Sequence, residues 1–260
     1  MIIMMRRHFF IAILLLTTLC ANAQVGEYRN RFSVGVGAGY ALNSISFQPD
    51  VQQKMHGGLF GGIMGRYTAE KYFSTLCAIQ AELNIAQLGW EQKIQTLDGL
   101  PVINPETQVA EQYKRDITYI QIPVFAHLSW GKEHRGVNAF VNLGPQIGLM
   151  ISDKTTCNYN KPFTSKMFPS DGEQEIKWSS KKGRASYLVE QETMPVENKL
   201  DFGIALGAGI EAEIKNIGRF NLEGRYYYGL GNIYGDSKRD FFGKSAHGTI
   251  YIRLSYLRDI

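Results

Sequence analysis

Residues 113–151 set the terms for the whole chain. Along their first half, Ile120, Ile122, Val124, Ala126, Leu128 and Trp130 alternate with Tyr119, Gln121, Pro123, Phe125, His127 and Ser129. Side chains alternate faces along a strand, so this period of two predicts a strand with one uniformly apolar face. A charged connector at 131–136 (GKEHRG) reverses the chain. The return run sets Val137, Ala139, Val141 and Leu143 against Asn138, Phe140, Asn142 and Gly144. The two runs form an antiparallel hairpin. Strands of soluble sheets average about 5–6 residues, whereas a tilted strand crossing a bilayer needs about 9–11. Both arms reach the longer length, and the mixed face suits a hydrogen-bonded interior better than a dry core. The hairpin is therefore predicted to span a membrane, with its apolar face to lipid.

Six further stretches carry the same alternation: 32–42, 57–68, 73–91, 199–215, 219–230 and 247–257. The clearest is 199–215, where Leu200, Phe202, Ile204, Leu206, Ala208 and Ile210 oppose Asp201, Gly203, Gly207, Gly209 and Glu211. Phase is weakest in 57–68, where Phe60 and Met64 fall on the supposed inner side. Between the eight candidate strands the connections alternate strictly long and short, the long ones being 43–56, 92–112, 152–198 and 231–246. A sandwich has no reason to gather its long loops at one end. Transmembrane barrels combine an even strand number with short periplasmic turns and long outer loops. The predicted fold is thus all-β: an eight-stranded antiparallel transmembrane β-barrel, both termini periplasmic. Tyr67, Trp90, Trp130, Tyr226 and Tyr256 fall near strand ends, where an aromatic girdle is expected. A soluble calycin barrel is the rival, but it requires an apolar cavity and polar exterior, the reverse of 199–215.

The N-terminus reads as an export signal. Arg6, Arg7 and His8 precede an apolar stretch, and Ala21-Asn22-Ala23 forms an A-x-A cleavage site, which gives a signal peptide at 1–23. A lipoprotein signal using Cys20 is disfavoured by Leu19 before it. A short periplasmic segment, 24–31, then leads into the barrel domain, 32–260. Losing Arg6 and Arg7 leaves 26 basic residues against 24 acidic, a near balance that gives no support for nucleic-acid binding. Cys77 and Cys157 are predicted to be free thiols, distant in the fold.

Candidate sites follow from the phase. Arg66, Glu82, Glu211, Glu223, Arg225 and Arg253 project inward; a lone buried charge is costly, so they are expected to pair and plug the bore. The alternating glycines of Gly35-Val36-Gly37-Ala38-Gly39 lack the strand–loop–helix setting of a nucleotide fingerprint. They are read as room for bulky neighbours across a narrow lumen. Pro123 lies nearly opposite Gly144 and Pro145, and proline cannot donate to the ladder, so a bulge or kink is predicted there. His127 and Ser129 share a face, as a base and nucleophile would, but no acid is placed to orient the ring. His56, His134 and His247 lack metal-ligand spacing. No catalytic residue, metal site or cofactor is predicted.

The segments Tyr119-Ile120-Gln121-Ile122-Pro123, Asn142-Leu143-Gly144-Pro145-Gln146-Ile147-Gly148 and Ala81-Glu82-Leu83-Asn84, with Gln87-Leu88-Gly89-Trp90, carry a resemblance. They are similar to the PorT-type outer-membrane β-barrel family of Bacteroidota. The resemblance implies a Gram-negative outer membrane, and its founding member is linked to type IX secretion. It supplies no catalytic residues. The reading is a monomeric, non-enzymatic barrel among outer-membrane lipids, with its outer loops as a contact surface for other envelope or secretion proteins. Tyr159, Phe163, Phe168, Trp178 and Tyr187 in the longest loop are the candidate contacts. Two other readings stay open: transport of a small solute or ion through a gated lumen, and lipid modification by His127 and Ser129.

Overall fold

A computed structural model describes residues 26–48, 50–94, 100–103, 107–131, 136–158, 196–235 and 243–260. Its strands are β1 (Glu27–Gln48), β2 (Gln53–Lys54), β3 (His56–Tyr72), β4 (Thr75–Lys93), β5 (Gln112–Trp130), β6 (Gly136–Cys157), β7 (Leu200–Ile214), β8 (Gly218–Gly229) and β9 (Lys244–Asp259). β2 is a two-residue clip on β4. The other eight form one antiparallel ring in the order β4-β3-β1-β9-β8-β7-β6-β5, and β5 pairs back onto β4. The N-terminal and C-terminal strands meet in an unbroken register from Ser33↔Asp259 to Gln48↔Lys244. Lipid offers no hydrogen bonds, so a spanning sheet has to close in this way.

Sidedness follows the alternation. In β7 the apolar set Leu200, Phe202, Ile204 and Leu206 faces outward, each about half exposed, while Asp201, Gly203 and Ala205 face the bore. Phe60 and Met64 face inward too, which fixes the uncertain phase of β3. Tyr67, Trp130, Tyr226 and Tyr256 lie on the outer surface. Trp90 does not. It is fully buried inside the barrel mouth, because the inward phase of Glu82, Asn84 and Ala86 continues through it.

The lumenal glycines make room sideways rather than across the bore. A Cβ on Gly37 would sit 2.5 Å from Nε of Arg253, one on Gly39 2.8 Å from the Phe60 ring, and one on Gly209 2.6 Å from the Phe140 ring. All three intruders come from an adjacent strand. In a bore this narrow, large side chains lie flat over their neighbours' backbone, and glycine is what lets them.

The prolines do not make a bulge. On either side of the Pro123 and Pro145 level, β5 and β6 keep the same register, Pro123↔Gln146 and Ala126↔Leu143. The two intervening pairs drop out of the ladder, and so do the two β4–β5 pairs at Glu82 and Leu83. The missing N–H groups interrupt the ladder without inserting a residue. The one register shift between β5 and β6 lies instead at Thr118/Tyr119.

Several strands outrun their expected ends. β1 continues to Gln48, β4 to Lys93 and β6 to Cys157, while β5 begins at Gln112 and β9 at Lys244. At about 3.3 Å per residue, the 22 residues of β1 and of β6 exceed any bilayer crossing. In the extensions the outward face turns polar (Ser44, Ser46, Lys114, Asp116), so the apolar face that marks a spanning strand is lost. The inward face turns largely apolar at the same height (Ile45, Phe47, Tyr113, Ile117), with Arg115 and Gln92 as its buried polar members. This inversion marks the plane where lipid gives way to water.

Spin labels at Leu206 and Leu254 are therefore expected to be relaxed by lipid-dissolved oxygen, and labels at Ser46 and Lys154 by a water-soluble paramagnet. The opposite pattern, read by continuous-wave spectroscopy in reconstituted vesicles, would turn the wall inside out.

Candidate functional site

The six inward charges meet in the bore, each at most 3 % exposed. Arg225 spans two carboxylates. Its Nη1 and Nη2 donate to Glu82 at 3.0 and 2.9 Å, while Nε and Nη2 donate to Glu223 at 3.0 and 2.9 Å. Arg253 pairs with Glu82 from the far side. Gln80 Nε2 and Asn84 Nδ2 also donate to Glu82, at 2.6 and 2.9 Å. Arg66 pairs with Glu211 at 2.5 Å and donates to Gln80 at 2.9 Å. Three guanidiniums thus match three carboxylates, and the Arg225 guanidinium stacks 4.4 Å from the Phe125 ring. Forked arginine–carboxylate contacts are among the strongest such bonds, and water does not screen them here.

Below this level Arg219 joins the set. It donates to Ser33 and Asp259, and its Nη1 lies 3.9 Å from Glu211. The inward phase of Asn221, Glu223 and Arg225 runs through Arg219, so the alternation could have placed it.

His127 and Ser129 both face the bore. His127 Nδ1 lies 2.7 Å from Asn142 Oδ1, and Asn142 Nδ2 donates to Glu223 at 2.9 Å. With the Asn142 oxygen accepting, Nδ1 carries the imidazole proton. His127 Nε2 has no hydrogen-bond partner among the described residues, so the imidazole and the Ser129 hydroxyl are not coupled as base and nucleophile. The ring packs 5.1 Å from Phe140.

Above the charges the bore changes character. Tyr227 donates to Asp201 at 2.8 Å, Gln121 and Tyr251 bond at 3.0 Å, and His247 Nε2 sits 3.2 Å from the Tyr119 hydroxyl. Asn43 receives the Thr249 hydroxyl at 2.6 Å and donates to the Gly89 carbonyl at 2.5 Å, tying β9, β1 and β4 together.

The outer mouth is closed by an aromatic cap of Phe47, Trp90, Tyr113 and Tyr234, with Ile45, Val51, Ile94 and Ile233. Trp90 lies 5.4 Å from Phe47 and 4.9 Å from Tyr113, and Phe47 stacks on Tyr234 at 6.1 Å. Arg115 donates to the Tyr234 hydroxyl at 2.7 Å and forks onto Asp153. Burial raises the Tyr234 phenol pKa, with nearby Arg115 pulling the other way, so it stays a neutral hydroxyl. An apolar outward face does not reveal the cap: by that sign Trp90 falls in the girdle and the outer strand ends fall in loops. The cap's signal is the run of large apolar residues in the inward phase.

Among the described residues, no three His, Cys, Asp or Glu side chains gather to hold a metal ion. Cys77 and Cys157 lie near opposite ends of the barrel, beside Leu128 and Tyr113 respectively, and are not bonded to each other. Tyr159, Phe163, Phe168, Trp178 and Tyr187 lie outside the described residues, as does the segment read as a signal peptide.

A closed eight-stranded ring, lipid-facing outside and charge-paired within, defines the class: a β-barrel of the outer membrane. Residues 22–235 match the family described as outer membrane protein beta-barrel domain, and the chain belongs to that family. Among solved structures, the chain is similar to OprG from Pseudomonas aeruginosa, with 11% identity over 90% of this chain and 98% of that one, TM-score 0.43. It is also similar to Neisserial surface protein A, with 10% identity over 87% and 95%, TM-score 0.42. Ail, the attachment invasion locus protein of Yersinia pestis, shares 12% identity over 89% and 99%, TM-score 0.36. Among curated proteins, no sequence matches.

Glu82→Ala leaves Arg225 and Arg253 short of their shared counter-ion. It is expected to cost roughly 3–5 kcal/mol, the usual penalty for halving a buried pair. Urea unfolding in phospholipid vesicles reads the loss; an unchanged midpoint would mean that the charges do not hold the bore together.

Proposed function

We propose that this outer-membrane barrel is non-enzymatic and accessory, and that its work is done on its outer face. The observation carrying this reading is the filled bore, in which paired charges at mid-height lie under an aromatic cap. A barrel so filled serves as a platform, and its long outer connections become the contact surface for another envelope protein. The resemblance to PorT-type barrels extends the reading to a role beside a protein-secretion machine. The longest connection, with Tyr159, Phe163, Phe168, Trp178 and Tyr187, is the proposed contact. The uncoupled His127 and Ser129 support the non-enzymatic reading.

Planar-bilayer recording of the purified protein is expected to give no steady conductance. Stable unitary currents would instead favour the gated-transport reading. Affinity capture from outer membranes, with the full chain beside a variant lacking 159–195, tests the platform: a partner retained equally by both would move the contact elsewhere.

A further inference from the structure

On the outer surface of the wall, where β1, β9 and β8 run side by side, lies a cleft of about 670 Å³. Ser44, Ser46, Tyr226, Tyr228, Lys244 and Gly248 of the lipid-facing phase form most of its floor, and the buried Ile45 and His247 of the bore phase also line it. Taken by register, the rows climb from hydrocarbon to water. Leu42, Ile250 and Tyr226 form the lowest; Ser44, Gly248 and Tyr228 the next; then Ser46 beside Ala246, and Gln48 beside Lys244. Gly248 gives the middle row a missing side chain between Ser44 and Tyr228. One wall is the first outer connection, which Gln53 pins by accepting from Ile45 N at 2.9 Å and donating to Ile45 O. β2 holds the same connection against β4.

Lys93 and Lys244 line the upper part. The Lys244 ammonium lies 5.4 Å over the Tyr228 ring and 3.4 Å from its hydroxyl. Neither lysine has a carboxylate partner among the described residues. Asp50, exposed at the rim, is the one carboxylate among the described lining residues.

We infer that this cleft binds the phosphate-bearing headgroup of an outer-leaflet lipid. A lipid is the occupant whose own polarity follows these rows. Acyl chains lie against Leu42 and Ile250, a sugar or glycerol backbone fits over Gly248 between the tyrosines, and the phosphate reaches Lys244 and Lys93. Tyrosines at headgroup height present an apolar body and a hydroxyl to such a molecule. The inference goes beyond the proposed platform role and does not depend on any protein partner.

The test uses the full chain in phosphatidylcholine nanodiscs doped with lipid A, and counts lipid A retained per barrel by native mass spectrometry. A lysine beside an anionic lipid surface contributes roughly a fivefold factor, so Lys93→Ala with Lys244→Ala is expected to weaken retention roughly 30-fold. Gly248→Leu fills the floor with both lysines intact, and is expected to weaken it as well. Its side chain faces out of the wall, and the nearest atom to a new Cβ is the Tyr226 hydroxyl at 3.5 Å. Heat-modified gel mobility checks that each variant is folded. Equal retention by all three proteins overturns the site. So does inorganic phosphate binding the lipid-free protein as tightly as lipid A, which would make the cleft a site for the free ion.

Discussion

In hydrocarbon an unpaired backbone N–H or C=O costs several kcal/mol, and this penalty dictates everything else in the molecule. It forces the ring to close, and in β5 it leaves Pro123 as the tolerated gap. It also makes a narrow bore, because eight strands enclose a space only wide enough for side chains. Whatever faces inward must then fit against its neighbours and find its own hydrogen bonds. Glu82 meets that demand most fully. It takes bonds or ion pairs from Arg225, Arg253, Gln80 and Asn84, which arrive from β8, β9 and β4 itself. One carboxylate thus links strands on opposite sides of the ring; Gly37 leaves the space in which the Arg253 side chain lies, and Gly207 does the same for Glu223.

The strands run through two solvents in succession, and the same alternation serves in both. Within the bilayer the apolar phase faces out and the polar phase faces in. Beyond it the roles exchange: Ile45, Phe47, Trp90 and Tyr113 point inward, while Ser44, Ser46, Lys114 and Asp116 point out. The upper part is then a small sheet structure with a conventional core, mounted on a membrane barrel of inverted polarity. The cap gains from burying aromatic area away from water. The charges beneath it gain from low dielectric once they are matched.

This exchange explains what could be read in the sequence. The spanning parts were legible because outward Leu200 to Ile210 is a continuous apolar face with glycines behind it. The six mid-bore charges were legible for the same reason, since phase alone assigns them inward. The extensions were not, because the apolar outward face that marks a spanning strand ends at the membrane surface. The signal of the cap is the inward phase beyond Ile117 and Leu88, where Tyr113 and Trp90 continue it. The prolines misled differently. Sequence shows that a donor is missing but not whether the ladder answers by bulging or by opening.

The longest connection is joined to the cap at both ends. Cys157, the last residue of β6, and Val196, where the described chain resumes, both pack against the cap's buried cluster. Glu197 and Asn198 donate their amides to the Ile233 carbonyl, and Ile233 donates to Ser245 on β9. The residues that close the bore are therefore the ones from which the connection departs and to which it returns. Anything that displaces Cys157 or Val196 acts against the packing of Tyr113, Trp90 and Tyr234. In this barrel the outer surface and the closure of the bore are not independent. They share the same few aromatic contacts, since Cys157 and Val196 pack on the cluster that holds Tyr113, Trp90 and Tyr234.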